Sequence, residues 1–147
     1  MRDVREGIIL LLQGDSTLVN MLPLQQNWKK PGNPQKKWSI MPLDGLTTAT
    51  AKDRKKPLLT IQMGNENRIG WKLLEDFVYV RCYNIEDKSY IFIDDVLSRV
   101  LALLDRHRFN FAGSTSIETL YESTGAEDLD QAFQLKFRES RYRLLRI

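Results

Sequence analysis

The chain holds one thiol, Cys82, and one imidazole, His107. A catalytic nucleophile needs a base within hydrogen-bond reach, and these two sit in segments of different character. Cys82 lies inside an apolar strand pattern, where a small buried thiol is expected. His107 follows a helix in Asp105-Arg106-His107-Arg108, where the helix dipole favours it. A single cysteine excludes an intramolecular disulfide, and a zinc site lacks its further ligands. Carboxylates do pair in sequence, as Glu75-Asp76, Asp94-Asp95 and Glu127-Asp128, and with a lysine they could serve a divalent-metal nuclease. Neighbours in a strand point to opposite faces, and Asp94-Asp95 opens a helix, where negative charge is favourable without any ligand. A solvated charged face is the simpler reading. Neither G-x-x-x-x-G-K-[ST] nor G-x-G-x-x-G occurs. The expectation is a protein without catalytic residues, metal or cofactor.

Binding chemistry is more visible. Between Pro23 and Lys56 stand Lys29, Lys30, Lys36, Lys37, Lys52, Arg54, Lys55 and Lys56 against only Asp44 and Asp53. That local surplus of six exceeds the net +3 of the whole chain, so the remainder is net acidic. Such a loop could neutralise phosphates, and Trp28 and Trp38 could stack on bases of a single strand. No recognition-helix or zinc-finger pattern accompanies it. A small nucleic-acid-binding module using residues 29–56 is therefore the alternative to a protein-binding surface.

The elements that must position these residues follow from periodicity. With 147 residues and 42% hydrophobic content, the chain fits one domain over 1–147 carrying a long basic loop at 24–56. Residues 3–13 predict an amphipathic helix closed by Gly14 in a left-handed cap. Asp15-Ser16-Thr17 then caps a second short turn that Pro23 stops. Trp38–Met41 and Pro57–Met63 read as strands, with residues 64–70 as the turn into a third at 71–84. Asp87-Lys88-Ser89 caps a long helix whose Ile93, Val96, Leu97, Val100, Leu101, Leu103 and Leu104 form one apolar stripe. Residues 117–122 and 132–138 alternate as strands around a polar turn at 127–130. Beyond Glu139 the apolar phase slips by one residue, as a β-bulge or bend would produce. The resulting fold class is α+β: a mostly antiparallel sheet of about four main strands, with one long helix and an N-terminal helix packed on it. No apolar run reaches eighteen residues, so no membrane partner is expected.

Laid end to end, "LLQGDSTLVNML", a proline-flanked variable loop leading to "PLLTIQMG", the unit "FVYVRCYNIEDKSYIFIDDVLSRVLALLD" and the closing "AFQLKFRESRYRL" make the chain resemble the tail completion or tail terminator proteins of long-tailed bacteriophages. The resemblance implies a non-enzymatic structural protein of the virion tail, assembled in the host cytoplasm. Such a protein forms a ring, commonly a hexamer, on the end of the tail tube. It stops tube growth and offers a surface to the head-completion or connector protein, with DNA passing through the channel. The basic loop would then contact a partner or line the channel. A ring closes through unlike patches, and the acidic segment Glu118, Glu122, Glu127, Asp128 and Asp130 is the natural complement to the basic loop. Tyr142, Leu144 and Leu145 at the out-of-phase end would add apolar subunit contact.

Overall fold

The computed structural model describes residues 2–46, 54–69, 73–84, 91–111, 115–133 and 135–146. Three helices appear among them: α1 (Arg2–Gln13), α2 (Ser16–Val19) and α3 (Ile91–Leu104). Seven strands do likewise: β1 (Ile40–Pro42), β2 (Leu58–Ile69), β3 (Leu73–Asn84), β4 (Arg108–Phe111), β5 (Thr115–Thr124), β6 (Asp128–Asp130) and β7 (Leu135–Arg146). They form one sheet in the order β1-β2-β3-β7-β5-β4, with β6 paired to β7. Among the described strands only β1 and β2 run parallel, and the other pairs are antiparallel.

This corrects the expectation of about four strands under one long helix. The architecture is mixed α/β, a seven-stranded sheet curled into a half-barrel with three short helices. Strands β4 and β6 hold four and three residues, too few for an alternation to register, and the strand expected at Trp38–Met41 is β1, shifted to Ile40–Pro42. The polar run 64–69 belongs to β2, with a bulge between Asn65 and Asn67, because the hairpin ladder with β3 satisfies its backbone. The expected cap at Asp87–Ser89 lies outside the described residues.

Helices occupy one face. Val4, Ile8 and Leu12 of α1, Leu18 of α2, and Ile93, Val96, Val100 and Leu104 of α3 are buried against Leu59, Ile61, Val78, Val80, Cys82, Ile117, Tyr142 and Leu144. Each large apolar side chain so removed from water contributes roughly 1.5–3 kcal/mol. Gly7 lets α1 approach β4: a Cβ there would stand 3.4 Å from the Phe109 ring. Gly14 does not take the expected left-handed conformation. Its N–H continues the helix by donating to the Leu10 carbonyl, and the described non-glycine residue with positive φ is Arg106, at 59°. There the chain leaves α3 and docks on β5, Arg106 N–H donating to the Thr119 carbonyl at 2.7 Å and the Thr119 hydroxyl to Leu104 O.

A second, smaller core lies on the opposite face, formed by Met41, Leu46, Leu58, Tyr83, Leu135 and Phe137. Its presence explains the apparent slip in the last strand. The β7 register against β3 is continuous from Lys136 to Leu144, and the bulge lies in β5, between Tyr121 and Ser123. Leu135 and Phe137 face the small core while Tyr142 and Leu144 face the helices, so β7 changes which face is apolar without changing phase.

Candidate functional site

The connection from Leu24 to Lys56 is held by side-chain hydrogen bonds over its described part. Gln25 and Gln35 exchange backbone hydrogen bonds of 3.1 and 3.0 Å. The buried Gln25 amide then clamps Lys55, donating to its carbonyl at 2.9 Å and accepting from its N–H at 3.1 Å. The Gln13 amide donates to Ile40 O at 3.0 Å, and the Ser39 hydroxyl to Pro23 O at 2.8 Å. These bonds stand in for a regular ladder.

So anchored, the connection forms a groove of about 790 Å³ against α1, walled by Ile9, Leu10, Trp28, Trp38 and Pro42 and rimmed by Arg5, Lys29 and Lys37, with Glu6 and Asp44. The two indoles meet edge to face, centroids 5.8 Å apart. The Lys37 ammonium lies over the Trp38 ring at 4.7 Å and that of Lys29 over Trp28 at 5.8 Å. Leu10, 67% exposed, is an unusual apolar contribution from a helix surface.

Of the expected basic contacts, the structure brings only Lys29 and Lys37 into this groove. Lys30 and Lys55 are exposed elsewhere, and Lys36 and Lys56 are half-buried. Arg54 turns inward, its Nη1 donating to Gln26 O at 3.4 Å, and burial lowers its affinity for a proton. Lys52 lies outside the described residues.

The expected interface acids are largely engaged by arginines and lysines of the same chain. Glu118 lies 3.7 Å from Arg108. Glu122 meets both Arg141 at 3.0 Å and Arg143 at 2.8 Å, and Glu127 meets Lys136 at 3.2 Å. Asp130 receives Arg81 and the Tyr83 hydroxyl, each at 3.2 Å, and accepts the Ala132 and Phe133 N–H groups. Asp128 is exposed and accepts its neighbour's amide, Leu129 N–H, at 2.8 Å. Tyr142 and Leu144 belong to the helix-side core; Leu145, 38% exposed, is the one of the three that meets solvent.

An arginine–carboxylate lattice thus covers the outer face of the sheet. Arg81 pairs with Glu139 as well as Asp130, and the Arg141 guanidinium sits 3.8 Å from the centre of the Phe77 ring. Burial alone would lower the Arg81 proton affinity, but hydrogen bonds with Glu139 and Tyr83 outweigh it and the net shift is upward. Burial pushes the Tyr83 hydroxyl up to about 12. A shallow pocket of about 530 Å³ opens beside this lattice. The alternation of Arg81 with Tyr79 and Tyr83, and of Glu139, Arg141 and Arg143, carries this charged face in the sequence.

The one thiol and the one imidazole lie in different surroundings. Cys82 is fully buried, and burial raises its thiol above the ordinary value. The His107 ring packs edge-on against Phe109, centroids 4.5 Å apart. No group of three or more His, Cys, Asp or Glu side chains suited to a metal occurs among the described residues. The chain matches no family model, no curated protein and no solved structure in the comparisons.

Proposed function

We propose that the chain is a non-enzymatic virion assembly protein that forms a ring, a hexamer on the resemblance of its sequence, at the end of a phage tail tube. There it ends tube growth and joins the tail to the head connector. The observation that carries the reading is the pair of unlike surfaces on opposite edges of one sheet: an aromatic groove with lysines beside β1 and, across from it, the β6 edge with Asp128 and Leu129 exposed. Unlike patches on one chain favour head-to-tail association, which closes into a ring when the rotation permits.

Nucleic-acid binding is supported less well by the same groove. Base stacking needs an open indole face, and lysine side chains lie over both rings. Glu6 and Asp44 on the rim would also repel phosphate.

Light scattering across concentrations, with negative-stain images of the protein alone and with tail tubes, tests the reading. The expected result is a closed ring of fixed copy number, free or capping tubes of uniform length. A protein that neither forms rings nor binds tube ends, and instead binds DNA with an affinity falling steeply with salt, would overturn it.

A further inference from the structure

Between β5 and β7 the chain is fixed at two points. Gly125 is tied to β7, its N–H donating to the Glu139 carbonyl at 2.9 Å and its own carbonyl accepting from Arg138 Nε at 3.1 Å. Leu135 is buried in the smaller core. The described residues between them, 126–133, are exposed except for Asp130 and Phe133, which are half-buried. This stretch buries little apolar surface of its own. Along its length it is held by the three-residue ladder of β6 on β7 and by the Glu127–Lys136 ion pair at 3.2 Å.

Asp130 grips it more firmly. Its side chain is 12% exposed, on a segment otherwise open to water. One carboxylate oxygen accepts from Arg81 Nη1 and from the Tyr83 hydroxyl, each at 3.2 Å, across β7 from β3. The other accepts the Ala132 and Phe133 N–H groups at 3.0 and 3.2 Å, which turns the chain back toward β7. Phe133 follows that turn and sets its ring edge-on against Tyr83, centroids 6.2 Å apart. Tyr83 is fully buried, and its ring also meets that of Phe137 at 5.6 Å. The Asp130 carboxylate and the Phe133 ring therefore close on the same residue of β3. A segment with few buried apolar contacts, held by hydrogen bonds near solvent, opens before its domain does.

We infer that residues 126–133 form a strap that opens and closes as a unit over Tyr83, with Asp130 as its latch and Gly125 and Leu135 as its fixed ends. Open, it uncovers the Tyr83 and Phe137 rings and the edge of β7 from Leu135 to Phe137. Closed, it keeps that aromatic patch from water. The larger core takes no part, because its side chains lie under the helices on the other face of the sheet.

Residue-resolved hydrogen exchange on the full chain, at urea concentrations below the unfolding transition, tests it. In the wild type the β6 amides should exchange through an opening nearly independent of urea, while α3 amides exchange through one that steepens with urea, because only global unfolding exposes much new surface. Asp130→Ala should speed β6 exchange about tenfold or more, as loss of a charge-assisted hydrogen bond does, with α3 still protected. The same variant should take up ANS, a dye that reports exposed apolar surface. Asp130→Asn keeps an acceptor for the two turn amides and should open the strap less. Wild-type β6 amides that follow the urea dependence of α3 would overturn the strap as a unit. Unchanged β6 exchange in Asp130→Ala would overturn Asp130 as its latch, and an open strap without dye uptake would overturn the covered patch.

Discussion

Replacing Tyr142 with phenylalanine should stabilise the protein, whereas replacing it with alanine should cost about 3–5 kcal/mol, the usual loss for an emptied aromatic site in a core. Tyr142 is fully buried between β3 and β5, its ring 5.6 Å from that of Tyr121 at 65°. Its hydroxyl is also buried and meets no hydrogen-bonding partner among the described residues. A hydroxyl stripped of water without compensation costs about 1–3 kcal/mol, and phenylalanine keeps the ring while removing that cost. The expected gain is about 1 kcal/mol, or roughly 2–4 °C in Tm for a chain of this size. Urea denaturation followed by fluorescence measures both changes, with the midpoint read at constant slope. A phenylalanine variant less stable than wild type would mean that the hydroxyl has a partner. An alanine variant of wild-type stability would remove Tyr142 from the core and return it to the subunit interface where sequence reasoning put it.

Asp15 caps α2 through Leu18 N–H at 2.8 Å and also holds Arg99 of α3 with contacts of 2.9 and 2.7 Å. Asp15→Ala should lose about 1 kcal/mol from the cap alone, while Asp15→Asn should keep the cap and lose only a part that shrinks in high salt; thermal melts at two salt concentrations separate them. The Arg99 hydrogen bond, opposed by burial, lowers the Asp15 carboxyl below its ordinary 3.8. Its contribution is therefore present above that pH and lost as pH falls through the lowered value, an acid limb that Asp15→Asn should flatten. At the alkaline end, Tyr83 titrates near 10 when unfolded and about 12 when folded. Stability should then fall from pH 10 upward by as much as about 1.4 kcal/mol per unit, and Tyr83→Phe should blunt the fall in pH-dependent urea melts. Gln25→Ala leaves the Lys55 N–H and carbonyl without their partner, a loss of about 1–3 kcal/mol that should speed limited proteolysis between residues 24 and 56 well before global unfolding.

Local patterns were legible where a segment is long and has one environment. The stripe from Ile93 to Leu104 and the alternation from Phe77 to Tyr83 each meet one surface along their length. The buried thiol and the Asp15 cap follow from immediate neighbours in the same way. The short strands β4 and β6 were not legible, because three or four residues take their conformation from the ladder they join, whereas β1 was read as a strand that began two residues early. The Gln25 clamp was equally hidden, since its partner lies thirty residues away.

The candidate surfaces divide along the same line. Composition alone placed a basic excess in residues 24–56 and an acidic one in 118–130, for charge is counted without knowing where a side chain points. Which of those charges remain available was decided by the tertiary structure. Folding lays β7 between β3 and β5, so Arg81, Arg141 and Arg143 meet Glu122, Glu139 and Asp130, and Asp128 with Leu129 is left at the edge. It also turns Tyr142 and Leu144 inward, because a second core on the outer face reverses the apolar side of β7 midway. A single strand can show periodicity, but which of its two faces is covered at each end depends on what the rest of the chain packs there.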